Sequence, residues 1–211
     1  MESFTLMSDM SAQLNCEGSV LRLWRRRMPL SDNQLHYFES YAVAFVAFGL
    51  IGRWYLWPAL KDRAPRTALT PLLLYASFRV NGLMFLMPGL VSAQLPRAFA
   101  IPTAYGDLTA AALALIALWP VRLEKTAAIP LVWLFNIAGL LDLVYANIST
   151  FKDHVDPTYL GVSYYLAAIN VPAMVVVHVL IFAYLFRHSR DLPMNTNKIE
   201  ENRLGYESRK P

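Results

Sequence analysis

Five apolar stretches follow one another along the chain, at about 35–60, 69–92, 103–120, 126–150 and 164–186, with short polar segments between them. Each approaches the roughly 20 residues that a helix needs to cross a hydrocarbon core ~30 Å thick. The pattern predicts an all-α polytopic membrane protein, a bundle of five transmembrane helices whose short loops make neighbours antiparallel. Residues 1–34 read as an N-terminal extension, 35–187 as one transmembrane domain and 188–211 as a polar tail. Five is an odd number, which argues against a simple inverted duplication within the chain.

Composition agrees with a lipid-facing chain. Of 211 residues, 56% are hydrophobic and 16% charged, against about 25% charged in soluble domains; the mean hydropathy is +0.35. The net charge of +4 reads as loop charge that sets orientation and meets anionic headgroups. No basic stripe interleaved with exposed aromatics suggests a nucleic-acid partner. The expected partners are the bilayer and a small-molecule or ion ligand, and a homo-oligomer is compatible with the sequence. The one cysteine, Cys16, allows neither an intramolecular disulfide nor a cysteine zinc site.

Prolines and aromatics punctuate the helices. Pro71 and Pro130 read as first-turn prolines, where the missing N–H costs little. Pro58 and Pro120 read as helix ends. Trp54, Tyr55, Trp57 and Trp119 cluster where an interfacial aromatic belt would lie. Lys61, Arg63, Arg66, Arg122, Lys125, Arg187 and Arg190 lie on one side, and Arg97 and Lys152 on the other. The positive-inside rule then places the N-terminus outside a cell membrane and the C-terminus in the cytoplasm. Arg22, Arg25, Arg26 and Arg27 disagree with this. Either the topology is inverted, or Met28 is the natural start and residues 1–27 are an upstream extension; the second is the favoured reading.

The candidate chemistry lies in the polar residues inside the apolar stretches. An ionisable side chain near a bilayer centre costs ~2.5–3.5 kcal/mol on insertion scales, so each one needs a reason. Arg79 lies about ten residues into the second predicted helix. Asp107 is in the first turns of the third, Asp142 in the outer part of the fourth and His178 in the fifth; Asn136 and Asn170 add amides. Helical depth arranges them as a column: Asp107 and Asp142 nearest the outside, then Arg79 with Asn136, then His178. Helical faces allow them to converge. Tyr75, Arg79, Gly82 and Gly89 share one side; Asp107, Ala110, Ala111, Ala114 and Ala117 another. Gly139 shares a side with Asp142 and Ala146, and Asn170 shares one with Met174 and His178.

Structural readings stand beside the functional one. Asp107 could simply face the N-terminal end of its helix, where a carboxylate is favoured. Asp142 lies in a C-terminal half, where the helix dipole disfavours it, so it calls for a partner. Arg79 with either aspartate could be an ion pair joining three helices, His178 a hydrogen-bonded core histidine and the asparagines interhelical glue. Common motifs are absent: no H-E-x-x-H, G-x-S-x-G, P-loop or G-x-G-x-x-G occurs. A metal site from His36, Glu39, Asp107 and Asp142 has no supporting spacing, and the sequence implies no cofactor.

The runs Phe78-Arg79, Phe-Leu-Met-Pro-Gly-Leu-Val at 85–91, Leu95-Pro96 with Phe99-Ala100, and Ala-Tyr-Gly-Asp-Leu at 104–108 form a pattern. It continues through Val-Trp-Leu-Phe-Asn at 132–136, Gly139, Asp142-Leu143, Val171-Pro172 and His178. Over 75–187 the chain resembles an uncharacterised group of bacterial five-helix membrane proteins, and that resemblance brings no activity with it. Ala76 here precedes Ser77-Phe78-Arg79, where the group often carries a histidine just before the Phe-Arg pair; a two-histidine mechanism is therefore in doubt for this chain. The expected function is binding or transport of a small molecule or ion at a polar site between helices two to five, with segment 88–102 at its mouth. An integral-membrane enzyme acting on a lipid or quinone-like substrate, with His178 or an aspartate as acid or base, is the alternative. An accessory subunit whose polar residues only pack helices is a third.

Overall fold

A computed structural model describes residues 31–188. The N-terminal arginines, the Met28 start and the tail beyond His188 lie outside the described residues. Five helices are long and apolar enough to cross a membrane: α1 (Asp32–Leu60), α2 (Pro65–Leu86), α3 (Arg97–Arg122), α4 (Ala128–Lys152) and α5 (Leu166–His188). The described residues form an all-helical bundle of multi-pass type.

Local chemistry explains the bounds. Ser31 starts α1 earlier than its apolar residues do: its Oγ accepts from Gln34 N at 3.3 Å, while Gln34 Oε1 accepts from Ser31 N at 3.0 Å. This reciprocal capping box satisfies two otherwise orphaned donors. Pro65, rather than Pro71, occupies the first turn of α2, so Pro71 lies inside that helix. α3 begins at Arg97, directly after Pro96, and takes in Pro102 and with it residues 97–102 of segment 88–102, the expected loop at the mouth.

Two prolines leave the same mark. In α1 a π-turn at Gly52–Leu56 ends with Trp57 N–H bonded to Gly52 O, one residue before Pro58. In α5 a π-turn at Leu166–Asn170 ends with Val171 N–H bonded to Leu166 O, one residue before Pro172. A proline ring clashes with the carbonyl four residues back and offers it no N–H. One extra residue in the turn relieves that clash.

The second half of α2 departs furthest from the expected regular helix. From Phe78 to Leu86 it is a 3-10 helix, longer than the three or four residues usual for such pieces. Three residues per turn align every third side chain, and the buried residues of this segment are Arg79, Gly82 and Phe85. The helix ends where Met87 turns extended, ahead of Pro88. Gly89, expected on the same helical side as Arg79, instead lies in the following loop with φ +87°.

Two apolar clusters fill the bundle. One holds Leu69, Leu73, Val132, Phe135, Ile181 and Tyr184 with Ala114 and Ala117 of the small-residue stripe on α3. The other holds Tyr37, Phe85, Phe99, Ala104, Leu160 and Ala168. The polar residues lie between them. α3 packs against α2 and α4, while α1 packs chiefly on α5.

The bundle has two distinct ends. At the Arg63 end, Tyr184 Oη donates to Arg63 O at 2.8 Å and Arg187 Nη2 lies 2.8 Å from Asp62. At the Tyr37 end, segment 87–96 is tied to the turn Pro157–Ser163: Ser92 N donates to Tyr159 O at 2.9 Å and Val162 N to Leu90 O at 3.0 Å. Gly161, at φ +53°, makes the second bond possible, since a Cβ there would run into the Leu90 carbonyl.

Gly161→Ala is expected to lower thermal stability in detergent by about 1–3 kcal/mol, the scale of a non-glycine residue forced into the left-handed region, with the carbonyl overlap added. Gly89→Ala meets open space and should lose less, through backbone strain alone. Equal losses would mean that the Leu90 carbonyl moves aside freely.

Candidate functional site

Arg79 is 2% exposed, and every nitrogen of its guanidinium is engaged. Nε donates to Asp107 Oδ1 at 2.8 Å. Nη1 donates to the Gly139 carbonyl at 2.7 Å and lies 3.4 Å from His178 Nε2. Nη2 donates to Asp142 Oδ2 and lies 2.7 Å from Asp107 Oδ1. One side chain from α2 thus joins α3, α4 and α5. Its planar fork suits this, because guanidinium donors fan out in fixed directions.

The expected column is compressed into one connected network. Asp107 lies about three turns into α3, because that helix starts at Arg97. Stabilisation by a helix end fades within the first turn, so the helix-end reading of Asp107 does not hold. Asp142 finds its partner in Arg79. His178 is not a separate deeper group: its ring touches the guanidinium and sits against Gly139.

Asn136 fixes the imidazole. Its Nδ2 donates to the His178 carbonyl at 3.1 Å, and its Oδ1 lies 2.7 Å from His178 Nδ1. An amide oxygen can only accept, so Nδ1 carries the proton and Nε2 is left to accept from Arg79. Phe135 stacks on the ring at 5.2 Å. Both Asn136 and His178 are fully buried.

Asn170 stands apart from this network. Its Oδ1 accepts from Tyr75 Oη at 3.0 Å. It joins Arg79 and Asp107 through a shared cavity of about 40 Å³ to which all five helices contribute, including Tyr37, Thr103, Asn147 and Met174.

Three glycines give the ion pairs room. A Cβ at Gly82 would strike the Asp107 carboxylate, one at Gly106 the Asp142 carboxylate, and one at Gly139 would lie 2.6 Å from His178 Cε1 and 3.2 Å from Arg79 Nη1. Gly106 and Thr103 were not legible as site residues from hydropathy. The available signals were local: Gly106 adjoins Asp107, and Thr103 stands one turn before it on the same face. Among the described residues no group of three or more His, Cys, Asp or Glu side chains could hold a metal ion. His36 pairs instead with Glu39 at the exposed start of α1.

The fold and this site define a class: a multi-pass helical membrane protein with a buried arginine clamped between two carboxylates. Residues 37–186 match the model of a domain of unknown function, DUF8737, and the chain belongs to that family. No curated protein and no solved structure matches it.

Removing one partner of a buried pair is strongly destabilising, by ~3–5 kcal/mol, because the other charge is left uncompensated. Arg79→Ala should therefore lower thermal stability in detergent sharply. Arg79→Ala combined with Asp142→Asn, or with Asp107→Asn, should recover part of the loss. Arg79→Lys should rescue incompletely, since an ammonium cannot reach three helices from one plane. Strictly additive losses in both double mutants would show that the side chains are not coupled.

Proposed function

We propose that the protein binds a small ligand or ion at the polar site among helices α2 to α5 and carries it into or across the bilayer. One observation carries this reading: the guanidinium of Arg79 balances only one of the two carboxylates that hold it. A structural ion pair needs one carboxylate. The second leaves a surplus negative charge among apolar helices, beside a cavity to which Asp107, Asn147 and Asn170 contribute. Intramembrane ionisable groups that face a cavity are the usual substrate and ion sites of membrane proteins.

The orientation belongs to the same proposal. Lys61, Arg63, Arg66, Arg122, Lys125 and Arg187 gather at the Arg63 end, against Arg97 and Lys152 at the Tyr37 end. Short-loop Lys and Arg face the cytoplasm, so the Tyr37 end faces outward and the C-terminus is cytoplasmic; the resemblance to a bacterial group extends the proposal to a bacterial inner membrane. With Cys16 replaced by serine, single cysteines at positions 97 and 152 should react with a membrane-impermeant thiol reagent in intact cells. Cysteines at 63 and 122 should react only after permeabilisation. The reverse pattern would invert the topology.

Binding is tested on the purified protein. A ligand that binds the folded state stabilises it by RT ln(1 + [L]/Kd), about 2.7 kcal/mol at a hundredfold excess over Kd. A panel of inorganic salts, carboxylates, amines and neutral solutes should contain at least one that raises the melting temperature of the wild type and not that of Asp142→Asn. A flat response across the panel would defeat the proposal.

A further inference from the structure

Resting on that reading, we infer that Asp107 and Thr103 form the binding site of a single monovalent cation, an alkali ion or a proton. The charge of the site selects the sign of the ligand. All guanidinium nitrogens of Arg79 are engaged by protein acceptors, so no free cationic fork remains to hold an anion. The surplus is one negative charge, which a monovalent ion neutralises and a divalent ion overshoots.

Volume selects the size. The cavity of about 40 Å³ is far below the roughly 300–1,000 Å³ typical of sites for organic ligands. The space admits water and suits a small hydrated ion rather than an organic molecule.

The donor set selects the chemistry. Asp107 Oδ1 receives both Nε and Nη2 of Arg79, whereas its Oδ2, set against Gly82, accepts no hydrogen bond among the described residues. Thr103 lines the same cavity one turn away on α3, is 4% exposed, and its Oγ1 has no hydrogen-bond partner. A buried hydroxyl normally finds a partner. Here a cation between it and the carboxylate supplies one. Asn147, whose Nδ2 donates to Leu143 O at 2.7 Å, lines the same cavity with its amide oxygen as the remaining donor. A carboxylate, a hydroxyl and an amide are hard oxygen donors, suited to hard cations. The titratable groups around Asp107 are Tyr37 of α1 across the cavity, Arg79 of α2, Asp142 of α4 and, behind the guanidinium, His178 of α5.

The test is thermal unfolding of the full chain in detergent, with choline chloride replaced at constant ionic strength by lithium, sodium or potassium chloride, and separately with a pH series in choline chloride. The wild type should show a saturable rise with at least one alkali ion, or a rise on acidification. Asp107→Asn should remove that rise. Should Asp107→Asn fail to fold, Thr103 decides. Thr103→Val should weaken the apparent affinity about tenfold, the loss expected for one oxygen contact, and Thr103→Ser should stay near wild type. A rise with an alkali ion identifies that ion as ligand; a rise on acidification alone identifies a proton taken up at the carboxylate. The inference is overturned if the wild type responds to neither, or if Thr103→Val responds as the wild type does. Stabilisation by a neutral or anionic solute without any cation or pH response would leave the binding proposal standing and remove this one. A flat response to every probe would remove both.

Discussion

The structure depends on one constraint: a guanidinium charge must be buried in the middle of an apolar bundle and left with no unmade bond. An arginine and an aspartate each cost ~2.5–3.5 kcal/mol at the centre of a membrane helix on insertion scales. Neither is tolerable alone, and the residues around Arg79 are the answer to that cost. Two carboxylates take the charge, the Gly139 carbonyl takes a donor that neither carboxylate can reach, and the imidazole of His178 closes the remaining side. Asn136 in turn orients the imidazole. Remove Arg79 and none of these groups has a reason to lie where it does.

Backbone form serves the same end. In an α-helix, residues 79, 82 and 85 would drift around the axis by about 60° at each step of three; in a 3-10 helix they eclipse. The 3-10 stretch of α2 therefore points Arg79, Gly82 and Phe85 at α3 together. The arginine meets Asp107, Gly82 lets that carboxylate approach, and Phe85 packs edge-on against Phe99 at 5.7 Å. The poorer hydrogen-bond geometry of a long 3-10 run is offset by the ion pair that it makes possible. On α3 and α4, Gly106 and Gly139 likewise leave space that a side chain would fill.

Much of this was legible in the sequence because length and apolarity, the two properties that define a membrane span, are local. The five spans, the alanine stripe on α3, and the convergence of Arg79 with Asp107 and Asp142 all follow from one-dimensional spacing. Two of the misplaced details depend on departures from an ideal α-helix, and a third on where a helix starts. A 3.6 period puts Gly89 on the Arg79 side, but α2 tightens at Phe78 and stops at Leu86. Hydropathy puts Asp107 in the first turns because residues 97–102, with Arg97 and Pro102, do not read as apolar span, yet they are the start of α3. Counting rise per residue sets His178 one layer below Arg79. A π-turn before Pro172 changes that register, and the long arginine side chain covers what is left. The partner of Asn170, Tyr75 on another helix, left no one-dimensional signal.

A fully satisfied arginine looks like a purely structural device, and most of the network supports that view. The carboxylates do not. Arg79 with Asp107 alone would be neutral, would join α2 to α3, and would leave Nη2 one acceptor short. An amide oxygen at position 142 could also accept from Nη2, by a weaker bond but with no added charge. An aspartate there places a second negative charge within reach of the first, which raises the electrostatic cost of the folded state instead of lowering it. For packing alone, Asn would be the less costly residue at 142. The carboxylate makes physical sense if the cluster alternates between two charge states, one with the surplus charge bare and one with it neutralised. A network clamped by Asn136, Gly139 and the imidazole would hold its geometry through both, so that the change would be felt at the cavity side of Asp107, where Thr103 and Asn147 stand.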